Sequence, residues 1–187
     1  TDGSVDIIRK YERWLAYWVS ENDRGQSHAI NKGFAAAHGD ILTWLNSDDF
    51  LLPRAIAHVV ELHRAEPTAA AWVGACHRID SDRRILSTAV PRGLDRDSLA
   101  DWGNRGWFYQ PSCFFAAQAW REAGTLDETS HYAFDLDLWL RLARVGTFVS
   151  TLRVLSAATI HKDAKTQARR PWMHAEIVAV QIKHGYQ

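Results

Sequence analysis

The sequence has few cysteines, no net charge and no long apolar run, and each shortage removes a class of protein. Its 187 residues include two cysteines, Cys76 and Cys113, which share no CxxC spacing. A disulfide framework is excluded on that count. Both thiols are expected as buried apolar fillers in a reducing, cytoplasmic setting. Lysine plus arginine equal aspartate plus glutamate at 22 each, which excludes a protein that grips nucleic acid through a global basic footprint. No apolar stretch approaches the roughly 18 residues that a transmembrane segment needs. The start shows no signal-peptide pattern, and no internal repeat or low-complexity tract is present.

What is there is a globular composition, 47% hydrophobic, with nine tryptophans. Most of these are expected in the core, leaving one or two to form a stacking face for a sugar ring. The chain is organised around Ile41 to Pro53, ILTWLNSDDFLLP. Ile41 to Leu45 reads as a buried strand that delivers Asn46, Ser47, Asp48 and Asp49 at its C-terminal end. Pro53 is placed to open a helix that runs to Glu66. Upstream, Ser4 to about Tyr11 reads as a short helix, Leu15 to Val19 as a strand, and Ser27 to His38 as a helix closed by Gly39. Downstream, Ala70 to Ile79 and Ile85 to Val90 read as a hairpin. Short helices follow at Leu94 to Trp102 and Gln118 to Ala123, with a strand at Cys113 to Phe115 between them. The spacing predicts a helix over Phe134 to Val145, a β-rich segment over Thr147 to Leu155, and a last helix over Trp172 to Gly185. His161 to Arg170 reads as a polar loop. Strands alternating with helices in the first half imply an α/β fold with a mostly parallel sheet.

Three clusters can carry chemistry. Asp48 and Asp49 repel one another at a strand end unless a positive group neutralises them, and in an open α/β sheet that end is where ligands bind. A hard divalent cation carrying a phosphate fits; a solvated turn that caps the next helix fits as well. Asp135 and Asp137, two apart in a helix, cannot share a face. One can enter a cleft as a general base while the other caps the helix, or both can cap. His161, in TIHKDAK, is either a metal or phosphate ligand or a solvated loop residue.

The order of these clusters makes the chain recognisable. Through TDGSVDIIRKY, ENDRGQSHAINKGFAAAHGDILTWLNSDDFLLP, YQPSCFF, GTLDETSHYAFDLDLWLRLA and TIHKDAKT, it closely resembles the family 2 glycosyltransferases, inverting enzymes with the GT-A nucleotide-sugar fold. The resemblance covers most of the chain from residue 1 to about 166. It implies transfer of a sugar from a nucleotide-diphosphate sugar to the hydroxyl of a carbohydrate or lipid-linked acceptor. Asn46-Ser47-Asp48 falls at the family's DxD motif, so Asp48, with Asp49 beside it and His161, is implied to hold Mn²⁺ or Mg²⁺. Asn46 stands where the first acidic residue is usual. Asp135 falls at the catalytic base and Asp137 beside it, toward the acceptor side. Gly25, Asn31, Lys32 and Gly33 match the stretch that shapes the nucleotide and sugar pocket; Ile30 stands where many relatives have arginine. Trp107, Tyr109 and Gln110 match part of the acceptor or sugar wall.

The implied organisation is one domain, with a donor-binding half over 1–66, an acceptor half over 67–166 and a C-terminal helix over 167–187. The family's N-terminal strands, which bind the nucleotide base, are expected to be missing, since residue 1 already lies in the turn that follows them. The expected location is the cytoplasm, compatible with peripheral attachment to the inner face of the membrane and with a homo-oligomer. Two other classes fit the same residues: a non-catalytic binding domain of this fold, and a nucleotidyltransferase-like enzyme. The second would want a glycine-rich phosphate loop that the sequence does not display.

Overall fold

A computed structural model describes residues 2–161 and 170–186. Helix α1 spans Ser4–Tyr11 and α2 spans Gln26–Ala35. Strands β1 (Ile41–Leu42) and β2 (Phe50–Leu51) flank the acidic turn, and α3 (Ala55–Ala65) follows. Then come β3 (Ala71–Ile79), β4 (Ile85–Ala89), α4 (Arg96–Ala100), β5 (Cys113–Ala116) and α5 (Ala117–Ala123). Helix α6 (Phe134–Val145), β6 (Phe148–Thr159) and α7 (Arg170–Lys183) complete the series.

The strands form one six-stranded sheet in the order β1-β5-β3-β6-β2, with β4 also paired to β3. The sheet hangs on β3, whose residues Ala71 to Cys76 are all buried. Successive side chains of a strand point to opposite faces. Trp72 therefore packs with Ala55 and Val59 of α3, while Ala71 and Val73 pack into the larger cluster that contains α6. Gly74 keeps the two long strands in contact, because a Cβ there would lie 2.3 Å from Leu155 Cγ on β6.

Aromatic rings fill the larger cluster. Trp44 stacks on Trp139 at 5.5 Å with 10° between planes, and Phe34, Phe108 and Phe115 pack edge-on or tilted around them. Helix α6 is apolar on most sides, with Phe134, Leu136, Leu138, Trp139, Leu140 and Leu142 all buried, as expected for a helix enclosed by protein. Cys76 and Cys113 are free and buried, and burial pushes the Cys113 thiol well above its ordinary value.

Several expectations are corrected. Only β3 and β6 run parallel among the described strands; the other pairings are antiparallel, so the sheet is mixed rather than mostly parallel. The return from β3 through β4 and α4 brings β5 alongside in the opposite direction, which no local pattern encodes. Leu15 to Val19 is not a strand. It has no partner among the described strands, and Leu15, Tyr17 and Val19 are exposed; a strand without a partner is not stable. The strand over Ile41 to Leu45 shortens to two residues, because only Ile41 and Leu42 pair with β5. Helix α3 begins two residues after Pro53, with Arg54 as its cap in a left-handed conformation at φ 66°. Most of the expected loop at His161 to Arg170 lies outside the described residues. No helix among the described residues is long and apolar enough to cross a membrane.

Trp139 is fully buried between Trp44, Phe108 and Phe115. Trp139→Ala is expected to lower the unfolding free energy by about 3–5 kcal/mol, measured by equilibrium denaturation in urea.

Candidate active site

Beyond β1 the chain is held by side chains rather than by strand pairing. The Thr43 hydroxyl donates to the Cys113 carbonyl at 2.9 Å, and the Gln110 amide donates to the Trp44 carbonyl at 2.8 Å. Asn46 then organises the turn. Its side-chain oxygen accepts from Gln26 Nε2 at 3.0 Å, and its Nδ2 donates to Asp49 Oδ2 at 3.2 Å and Gln110 Oε1 at 3.4 Å. An amide accepts on one side and donates on the other, which an ionised carboxylate cannot do. A carboxylate at position 46 would meet Asp49 with like charge.

Asp49 lies behind this turn. It accepts from the Thr159 backbone N–H at 3.2 Å as well as from Asn46. Burial, together with the charge of adjacent Asp48, pushes its carboxyl up to about 6. Asp48 faces outward, and its carboxylate meets His161 Nε2 at 3.1 Å with both side chains partly exposed. The Thr159 hydroxyl donates to the Asp48 carbonyl, so the end of β6 fixes the turn from the other side. A cleft of about 340 Å³ opens here, lined by Asp48, Phe50, Asp80, Arg83, Thr159 and His161 among others.

Arg83 and Asp80 were not singled out in the sequence. They sit in the β3–β4 turn, where the Asp80 carboxylate accepts from the backbone N–H groups of Asp82 and Arg84 at 2.9 Å each. Ile79, just ahead of that turn, pairs with Thr159, which brings the turn to the Asp48 end of the sheet. The consecutive arginines of DSDRR were the available signal, but it required knowing that β3 lies beside β6.

Asp135 occupies the first turn of α6, where the helix dipole favours a carboxylate. Its Oδ1 accepts from the Leu136 N–H at 2.8 Å. Phe134, immediately before it, lies 6.4 Å from Trp44 between ring centroids. The opening of α6 and the segment that leads into the acidic turn therefore pack against one another.

Asp137 does not face an acceptor. Its carboxylate is 1% exposed and is bound by Arg141 Nε at 2.9 Å, His184 Nε2 at 3.0 Å and Lys183 Nζ at 3.0 Å. Two residues along a helix it must leave the face of Asp135, and that turns it toward α7. Asn31 is engaged at both ends of its amide. It donates to the Leu126 carbonyl and Glu128 and accepts from the Leu126 N–H, so it holds the loop before α6. Lys32 pairs with Glu21 at 2.8 Å. Gly25 caps α2 at φ 125°, a conformation suited to glycine, and its N–H donates to Asp23. Gly33 has open space where a Cβ would stand. The α2 residue that does touch the acidic turn is Gln26, which the sequence reading passed over. Trp107 and Tyr109 pack edge-to-face at 4.7 Å next to Gln110.

Among the described residues no group of three or more His, Cys, Asp or Glu side chains is gathered as a metal site. Asp48 and His161 do present an oxygen and a nitrogen within hydrogen-bonding distance, beside the cleft. Such a pair fits a hard cation that completes its shell from phosphate oxygens and water. Asp49 stands behind them, occupied by Thr159 and Asn46.

The model of the family described as Glycosyl transferase family 2 matches residues 1–133. The chain belongs to that family. A family relative, an uncharacterized glycosyltransferase of Mycobacterium tuberculosis, is 34% identical over 149 residues, 76% of this chain and 55% of its own length. The chondroitin synthase of Escherichia coli is 23% identical over 166 residues, covering 87% of this chain and 24% of the synthase. The chain thus spans about half or less of the length of these relatives. Two solved structures share the fold. Staphylococcus aureus TarS 1–349 with UDP-GlcNAc aligns with a TM-score of 0.70 at 13% identity, covering 98% of this chain and 54% of that 1–349 chain. A mannosyltransferase of Pyrobaculum calidifontis, solved with GDP-Man and Mn²⁺, aligns at 0.63 and 16% identity, covering 98% of this chain and 61% of its own. The fold is α/β of the GT-A type, built on a mixed sheet flanked by helices.

In this family member Asp137 is structural. Burial opposes its ionisation, but the His184 hydrogen bond and the Arg141 and Lys183 charges outweigh it and hold the carboxyl below its ordinary 3.8. A depressed carboxyl stabilises the fold above its unfolded value, and that contribution is lost as pH falls through the folded value. Asp137→Asn is expected to cost about 3 kcal/mol at pH 7, since it leaves the largely buried Arg141 guanidinium without its carboxylate. The deficit against wild type should shrink in denaturation curves taken below pH 3.8.

Proposed function

We propose that the chain transfers a sugar from a nucleoside-diphosphate donor to the hydroxyl of a carbohydrate or lipid-linked acceptor, with inversion at the anomeric carbon. The observation that carries this reading is the contact of Trp44 with Phe134. It packs the segment that leads into the acidic turn against the first residue of α6, next to Asp135, which supports a shared site for the two carboxylates. Family membership and the nucleotide sugars named with the two fold neighbours support the donor class.

In this mechanism Asp48 and His161 would hold Mn²⁺ or Mg²⁺. The ion, when bound, supplies positive charge that offsets the charge of the leaving diphosphate. Arg83, lining the same cleft, adds a cation toward the phosphates. Asn46, tied to Gln26, Asp49 and Gln110, fixes the direction in which Asp48 points. Asp135 accepts the proton of the acceptor hydroxyl as its oxygen bonds to the anomeric carbon, and the bond from that carbon to the diphosphate oxygen breaks on the opposite face. Trp107, Tyr109 and Gln110 form a wall on the acceptor side, where aromatic faces suit the apolar patches of a sugar.

A second reading is a binding domain of this fold without turnover. The occupied amide of Asn31 favours it, because the pocket-shaping stretch then spends that polar group on the distant loop before α6.

The two readings separate in a product assay by mass spectrometry with UDP- and GDP-sugars and Mn²⁺, alongside calorimetry of donor binding. On the transferase reading, Asp135→Asn lowers turnover by about 10²–10⁴-fold and leaves donor affinity near wild type. Retained turnover would refute Asp135 as base. Asp48→Ala is expected to remove the Mn²⁺ dependence of donor binding, and an unchanged metal response would exclude Asp48 as a ligand. Donor binding without product from any acceptor class would favour the second reading.

A further inference from the structure

Helix α6 opens without a local cap. The residue at its N-cap is Ala133, whose side chain makes no capping hydrogen bond. The cap comes instead from α7, distant in sequence and outside the segment matched by the family model. Glu176 Oε2 accepts from the Ser130 hydroxyl at 2.7 Å and from the backbone N–H groups of His131, Tyr132 and Ala133 at 2.9, 2.7 and 3.1 Å. Three successive N–H groups converging on one carboxylate form an anion-binding nest. The bond to the Ala133 N–H is the one that the glutamate of a capping box makes from within its own helix; here the third helical residue is Leu136, which cannot make it.

Burial alone would raise the Glu176 carboxyl, but the Ser130 hydroxyl and the backbone N–H groups outweigh it and hold the group below its ordinary value. The same helix is fastened again one turn further along α6. Lys183 and His184, at and just past the end of α7, both bind Asp137 at 3.0 Å. Gln181 adds a bond to the Ala100 carbonyl at 2.6 Å. Asp135 lies between these two attachments, at Ala133 and at Asp137.

We propose that Glu176 is a positioning residue for Asp135: by capping α6 from α7 it fixes where the first turn begins and so where the Asp135 carboxylate is presented. This rests on the reading of Asp135 as the base. The Glu176 carboxylate is engaged by the loop that leads into α6, so its loss is expected to act on the chemical step rather than on donor affinity.

The test compares Glu176→Gln, Glu176→Ala, Asp127→Asn and Asp135→Asn in the full chain, by steady-state kinetics, donor calorimetry and thermal melting. Glu176→Gln is nearly isosteric and keeps one acceptor, which protects the fold. It is expected to lower kcat about 10-fold, and Glu176→Ala further, with donor Kd unchanged, as a small misplacement of a reacting group does. Asp127→Asn removes a different α7 contact, the Lys183–Asp127 pair at 3.0 Å, and should lower the melting temperature while leaving kcat near wild type. The proposal is overturned if folded Glu176→Gln keeps wild-type kcat, or if kcat and donor affinity fall together. Should Asp135→Asn retain turnover, the base assignment fails; a dead Asp135→Asn beside a fully active Glu176→Gln sinks only the positioning role.

Discussion

The stacking of Trp44 on Trp139 is the contact on which the rest of the structure depends. Trp44 belongs to the strand end that leads into the acidic turn, and Trp139 lies in the middle of α6. Two large apolar faces removed from water in one place contribute more than any polar contact nearby, because aromatic burial scales with area and the rings add a geometric preference. Phe34, Phe115 and Trp120 extend the cluster to α2, β5 and α5. The segment carrying Asp48 and the helix carrying Asp135 are thus welded at their apolar residues, and their polar ends project from a common foundation.

The polar groups around that foundation divide by burial. Asp137 is enclosed and answered by three cationic or potentially cationic side chains; it holds α7 against α6. Asp49 is half-buried beside Asp48, and burial and that charge raise its carboxyl against the bonds from Thr159 and Asn46. Asp48 and His161 are open to a cleft. Carboxylates of one chemical type therefore have three tasks, set by what surrounds them. The reach of α7 is part of the same division. It supplies a carboxylate where α6 has no cap of its own and cations where α6 buries a charge, so a helix outside the family match shapes the entry to the proposed base.

Much of this was legible in advance. Helix α6 was expected over the residues it occupies, since Leu138, Leu142 and Val145 fall on one helical face. The β3–β4 hairpin was legible from its β-branched and aromatic flanks and the polar DSDRR turn. The family was legible from ordered motifs. What failed, failed for a common reason. Leu15 to Val19 has strand composition but no partner among the described strands, and the sheet is mixed because β5 returns antiparallel. Each depends on what another part of the chain brings alongside.

By itself the sequence determined the class of the protein: periodicity set the helices, the balance of charge and apolar residues set a globular α/β core, and the order of acidic motifs set the family. Those properties are local or additive along the chain. The tertiary structure alone decided which aspartate is buried and which is open, that Arg83 joins Asp48 in one cleft, and that Glu176 caps a helix to which it is not adjacent in sequence. Such facts depend on distances between segments far apart in the chain, and those are fixed only when the aromatic core closes.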